Sequence, residues 1–191
     1  MKMTGFRDKI KRLIGTYPVG FCTEPPIFTF KNRFLMIAPQ KLTPQQALPK
    51  LLQYCSYQER CHHEVLEKLN GYGIWGDDAD EIVGKLIQDN YLNEERFACH
   101  FAGGRFRVKQ WGRTKIKYEL KLRKVSEYCI KKAMKEIEED DYLKTLDKLA
   151  QIKWKSLARE KNMFIKKKKL RDHLQQKGYE SDLITDWLKT A

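Results

Sequence analysis

From Thr43 onward, apolar residues recur three and four positions apart in short segments, and polar caps and glycines separate the segments. Thr43-Pro44-Gln45-Gln46 predicts a helix start: a capping hydroxyl, proline at the first helical position, and glutamine three residues after the cap. Ser56-Tyr57-Gln58-Glu59 has the same capping form and predicts a second start, for a helix carrying Val65, Leu66 and Leu69 and ending at Gly71. Asp77 is the expected cap of a third helix, with Ile82, Val83, Leu86 and Ile87 on one face and Asn90 as a left-handed stop. The sequence then repeats this plan. Asn93 precedes Phe97, Ala98 and Phe101; Gly112 precedes Ile116 and Leu120; Ser126 precedes Ile130, Ala133 and Met134. A third copy is expected to begin near Asp141 with Tyr142, Leu146 and Leu149. It continues through Leu170 and Leu174 to a stop at Gly178, and ends with Leu183, Ile184, Trp187 and Leu188.

The spacings support a repeat. Val65 to Leu69, Ile116 to Leu120 and Leu170 to Leu174 are each separated by 4, and the copies are offset by 51 and then 54 residues. Ile116 to Ile130 and Leu170 to Ile184 are both 14, whereas Val65 to Ile82 is 17, so the first copy has a longer second turn. The predicted fold is all-α: three tandem three-helix, helix-turn-helix-like repeats at 43–92, 93–138 and 139–191, stacked as an elongated, curved array. Three unrelated sets of helices in one bundle is the plainer alternative. Residues 1–42 hold four of the six prolines and no copy of the unit. They are expected to be a poorly ordered extension or an artefact of the start site, with Met36 as the true start.

Composition narrows the function. With 41% hydrophobic and 33% charged residues the chain is able to form a core. It has no apolar run long enough for a transmembrane helix and no signal-peptide core, so the expected location is cytoplasmic. Five cysteines without a CxxC pair fit a reducing compartment. The net charge of +13 is unevenly spread: residues 43–92 hold 4 basic and 8 acidic residues, while 93–137 hold 13 and 5. A basic middle favours a polyanion or an acidic protein surface.

No phosphate-binding loop, dinucleotide fingerprint, HExxH or GxSxG motif occurs, so a binding protein is expected rather than an enzyme, with no cofactor. Cys55, Cys61, His62, His63 and Glu64 are an incomplete ligand set for zinc; both cysteines should pack inward and the histidines face water, and no metal is expected. The basic block of Arg105, Arg107, Lys109, Arg113, Lys115, Lys117, Lys121, Arg123 and Lys124 is the main candidate surface, interleaved with Phe106, Trp111 and Tyr118. Arg113, Lys117 and Lys121, at helical spacing, predict a positive row on the outside; a merely solvated face is the competing reading. Lys166 to Lys169 reads more as a solvated run than a site. Trp75, Trp111, Trp154 and Trp187 read as packing residues.

Tyr91-Leu92-Asn93-Glu94-Glu95-Arg96-Phe97-Ala98, followed by Phe101, Gly104, Arg105 and Arg107, resembles the hallmark of the RecX family of bacterial recombination regulators. Gly112-Arg113-Thr114-Lys115-Ile116-Lys117-Tyr118-Glu119-Leu120 resembles its second motif. Cys55-Ser56 through Glu64-Val65 with Lys68-Leu69, and Lys177-Gly178-Tyr179, resemble flanking ones, so the likeness covers about residues 43–188. Lys124 departs from it, standing where the family usually has glycine. The resemblance implies three-helix modules that dock in the groove of a RecA–DNA filament and lower ATP hydrolysis, strand exchange and coprotease activity in recombination, DNA repair and the SOS response. It implies no cofactor and no catalysis by this chain, and a monomer is expected. The residues expected to contact RecA or DNA are Arg96, Arg105, Arg107, Arg113, Lys115, Lys117, Lys121 and Arg123. A helix-turn-helix-like protein binding single- or double-stranded DNA directly, without RecA, is the alternative.

Overall fold

The computed structural model describes residues 41–190, and the expectations for the leader lie outside them. Among the described residues there are nine helices and no strand: α1 (Pro44–Tyr57), α2 (His62–Gly71), α3 (Asp77–Gln88), α4 (Glu94–Lys109), α5 (Arg113–Leu122), α6 (Glu127–Met134), α7 (Glu139–Ser156), α8 (Met163–Lys177) and α9 (Ser181–Thr190). They form three successive trios. None is long and apolar enough to cross a membrane.

Local chemistry sets most of the boundaries. Thr43 and Gln46 form the reciprocal capping box, each satisfying a backbone N–H of the other. Asn93 accepts from the Arg96 N–H and Ser126 from the Cys129 N–H, which caps α4 and α6. The predicted start at Ser56 is not one. Ser56 lies inside α1, its hydroxyl donating to the Leu52 carbonyl at 2.7 Å, and α2 begins only after Cys61. Burial decides the frame: Cys61, Val65 and Leu69 are all fully buried at helical spacing, and that alignment outweighs a two-bond cap. Asp77 is likewise the first residue of α3 rather than its cap, which is Gly76 at φ 56°. Ile87, expected in the core, is largely exposed, as is Trp75; Ala79, Ile82 and Leu86 make the inner stripe instead.

The trios do not each own a separate core. Ala47, Leu51, Val65, Leu69, Ile82 and Leu86 close the first trio on itself. One continuous cluster then runs from Phe97 on α4 to Leu188 on α9, with Cys61 entering it from the first trio. The second and third repeats therefore fold around one shared core. Tyr142 lies at its centre, completely buried, with Phe106 and Tyr179 rings 5.8 and 5.1 Å away. Its hydroxyl donates to Glu180 at 2.6 Å and accepts from the Arg113 N–H at 3.0 Å, so the one polar atom of this ring is satisfied at the repeat boundary. Burial, with the bond to Glu180, keeps the Tyr142 hydroxyl protonated well above the ordinary tyrosine range.

The repeat also shows in its helix ends. Gly73, Lys124 and Gly178 all have positive φ, at 78°, 55° and 91°, and are separated by the same 51 and 54 residues as the core positions. After each, an N–H reaches back to a leucine carbonyl: Ile74 to Leu69 at 3.1 Å, Val125 to Leu120 at 3.2 Å, and Tyr179 to Leu174 at 3.1 Å. This closure turns Ile74, Val125 and Tyr179 inward. Lysine occupies a position that the geometry assigns to glycine, and its Cβ carries the cost. Lys124→Gly is expected to stabilise the fold by about 1 kcal/mol, less the extra entropy of an unfolded glycine. Urea unfolding of the two proteins checks this; an unchanged or lower midpoint contradicts it.

Candidate binding surface

Structure divides the eight basic candidates into those that hold the protein together and those that are open. Arg96 belongs to the first group. Its Nε donates to Glu59 at 2.7 Å and its terminal nitrogens to the Asn90 side chain and carbonyl at 3.1 and 3.0 Å, so it pins α4 to the first trio. Arg123 bonds the Glu119 carboxylate at 2.7 Å, lies 3.9 Å from Glu64 and covers the Phe101 ring. Arg113 is turned inward, correcting the expected outer row. It pairs with Glu139 at 2.8 Å, donates to the Ile137 carbonyl at 3.0 Å and stacks on Tyr142 at 4.3 Å. Position in the first turn of α5, beside the start of the third trio, draws it in. Lys115 reaches the Gln176 carbonyl at 3.2 Å and sits 4.7 Å above the Trp111 ring.

Those contacts belong to a backbone joint. The Gly112 N–H donates to the Lys177 carbonyl at 2.8 Å and the Thr114 N–H to the Gly178 carbonyl at 3.1 Å. Carbonyls at the C-terminal end of α8 thus satisfy N–H groups at the start of α5, and the two opposed helix ends attract. The close approach needs two glycines: a Cβ on Gly112 would overlap the Gly178 carbonyl, and one on Gly178 would overlap the Lys115 backbone.

The open group is Arg107, Lys117 and Lys121, whereas Arg105 is half-buried and stacks on the Phe101 and Trp111 rings at 4.9 and 5.2 Å. Lys117 and Lys121 stand exposed along one face of α5, and Lys121 bridges to Glu127 at 2.7 Å on α6. That bond, with the charges of Lys131 and Lys117 added, holds the Glu127 carboxyl below the usual range. Lys121 alone is paired at this α5–α6 corner, and Lys117 on α5 and Lys131 on α6 are exposed without an ion pair among the described residues. Tyr118 and Tyr128 stand beside them, 61% and 63% exposed. Lys132, by contrast, is engaged with both carboxylate oxygens of Glu95 at 2.9 Å. Tyr128 and Lys131 were not among the sequence candidates because they fall outside the dense basic block. Their signal was available in the short α6, whose inward positions are Cys129, Ile130 and Ala133 and so leave the alternate face to solvent.

Around Cys61 the structure matches the expectation for the cysteines. Cys55 and Cys61 are buried, and burial raises both thiols. His62 and His63 are only half exposed, close to Glu94 at 3.7 Å and Glu67 at 3.5 Å. No group of side chains suited to a metal ion occurs among the described residues.

The chain matches two family models in order: RecX, second three-helix domain, over residues 93–134, and RecX, third three-helix domain, over 139–188. It is 30% identical over 141 residues to the regulatory protein RecX of Bacillus cytotoxicus, covering 73% of this chain and 52% of that one. Against the regulatory protein RecX of Lactobacillus gasseri it is 35% identical over 97 residues, 51% of this chain and 36% of the relative. The chain thus spans about half, or less, of the curated relatives it matches. Two crystal structures share the fold. One is a regulatory protein RecX, with TM-score 0.69 and 19% identity over 78% of this chain and 72% of the other. The second is RecX from Lactobacillus salivarius, with TM-score 0.69 and 23% identity over 77% and 94%. Two consecutive domain matches, relatives that share one name, and a common helical repeat fold place this chain in the RecX family of regulatory proteins.

Proposed function

We propose that the chain is a non-catalytic, monomeric regulator that acts in the cytoplasm by binding RecA filaments on DNA and restraining their ATP hydrolysis, strand exchange and coprotease activity. The α5–α6 corner carries this reading: exposed Lys117, Lys121 and Lys131 on adjacent helices, with only Lys121 paired, to Glu127, and two solvent-exposed tyrosines on the same helices. Such a face suits phosphates, with the Tyr118 ring available for stacking on bases, whereas the Tyr128 ring is covered by Lys132 at 5.0 Å. Arg96, Arg113 and Arg123 serve it from behind by fixing α4 and α5 to their neighbours, rather than by touching a partner.

Sedimentation of the protein with RecA on single-stranded DNA, and with the bare DNA, tests the reading. Binding to the filament is expected to be at least about tenfold tighter, because contacts to protein add to the salt-sensitive phosphate contacts. Equal binding to bare DNA would instead favour direct DNA binding without RecA.

A further inference from the structure

A second feature lies away from the α5–α6 corner, where the end of α1 faces α4. Cys55, Ser56, Gln58 and Glu59 form one wall of an open groove of about 590 Å³, and α4 forms the other. Its apolar surface comes from Phe97, Phe101 and Val108, and Val108 is 78% exposed. Arg105 and Lys109 stand at the same wall, and neither has a carboxylate within ion-pair distance among the described residues. The groove's own carboxylate, Glu59, binds Arg96 through one oxygen at 2.7 Å, and its other oxygen is buried without a hydrogen-bond partner. Arg105 and Lys109 against the single Glu59 carboxylate leave an apolar trough with net positive charge at its wall.

We propose that this groove is a protein-docking site for an acidic segment of the partner filament's protein, an apolar side chain entering beside Val108 and carboxylates meeting Arg105 and Lys109. The assignment rests on the filament-binding reading above. Charge complementarity selects the occupant. The chain's own residues 1–42, with eight basic and two acidic side chains, have the wrong sign for it. Nucleic acid fits less well than protein. The Phe101 ring is already engaged by the Arg105 and Arg123 guanidiniums, each 4.9 Å from its centre, which leaves it poorly placed to stack a base. Two rim cations match a short run of carboxylates better than a continuous phosphate backbone. The two surfaces then divide the work: α5–α6 meets nucleic acid, and the α1–α4 groove meets protein.

Site-specific photo-cross-linking in the full chain tests the division. Val108 is replaced by p-benzoylphenylalanine, and the protein is bound to RecA on labelled single-stranded DNA and irradiated. The expected product is a cross-link to RecA, mapped by mass spectrometry to a segment rich in Asp or Glu. A cross-link to DNA alone, to a RecA segment without acidic residues, or none from protein that still sediments with filaments, overturns the proposal. If the unsubstituted protein does not sediment with filaments, the functional reading fails and the groove proposal falls with it. A second variant, Val108→Asp with Lys109→Glu, changes only exposed side chains. It is expected to weaken filament binding about tenfold and bare-DNA binding less than about twofold; equal losses on both would overturn the division.

Discussion

Reversing Lys117, Lys121 and Lys131 to glutamate is expected to weaken binding to DNA-bound RecA on the order of a hundredfold at low salt. The argument is electrostatic. Each exposed charge contributes roughly 0.2–1 kcal/mol in water, and reversal replaces attraction with repulsion of similar size, so three reversals sum to about 3 kcal/mol. The difference should shrink as salt rises, because the sites are exposed and screened. Folding should be little affected: Lys117 and Lys131 have no ion pair among the described residues, and the Lys121–Glu127 bridge is open to solvent on both sides. Anisotropy titrations across a salt series, with circular dichroism as the folding control, read both quantities. The same three reversals in a folded protein with unchanged affinity would make this face a solvated surface only.

Gly178→Ala should have the largest effect on stability, a loss of about 3–5 kcal/mol. Two penalties add. Alanine is strained at φ 91°, and its Cβ meets the Lys115 backbone, which a side-chain rotation does not relieve. Moving α5 away would break the Gly112–Lys177 and Thr114–Gly178 hydrogen bonds and open the core shared by the second and third repeats. Gly73→Ala provides the contrast. It has a comparable φ of 78°, but its Cβ would press mainly on the flexible Lys41 side chain, so only the backbone strain of about 1–2 kcal/mol is expected. Urea midpoints for the two variants decide the matter; similar losses would show that the α5–α8 joint contributes nothing special.

The sequence displays the repeat because its core stripe is local. Val65 and Leu69, Ile116 and Leu120, Leu170 and Leu174 each face inward on one helix, and each pair is fully buried. Lys124 stood out only through the resemblance to a family that usually has glycine there, and its φ of 55° gives the physical reason. The partners of Arg96 and Arg113 were not legible. Glu59 is 37 residues from Arg96, and Ile137 is 24 from Arg113. Helical spacing therefore aligned Arg113 with Lys117 and Lys121, whereas the neighbouring repeat drew it inside. The false start at Ser56 has a similar origin. A cap is a short-range signal of about 1 kcal/mol, and the burial of Cys61 and Val65 outweighs it.

The central claim is that this chain restrains RecA through filament contacts, and ATP hydrolysis by RecA on single-stranded DNA tests it most directly. Titrating the protein to full occupancy is predicted to lower the steady-state rate several-fold, with the Lys117, Lys121 and Lys131 reversals restoring it at the same concentration. An unchanged rate at full occupancy, with tight binding to bare DNA, would contradict the claim.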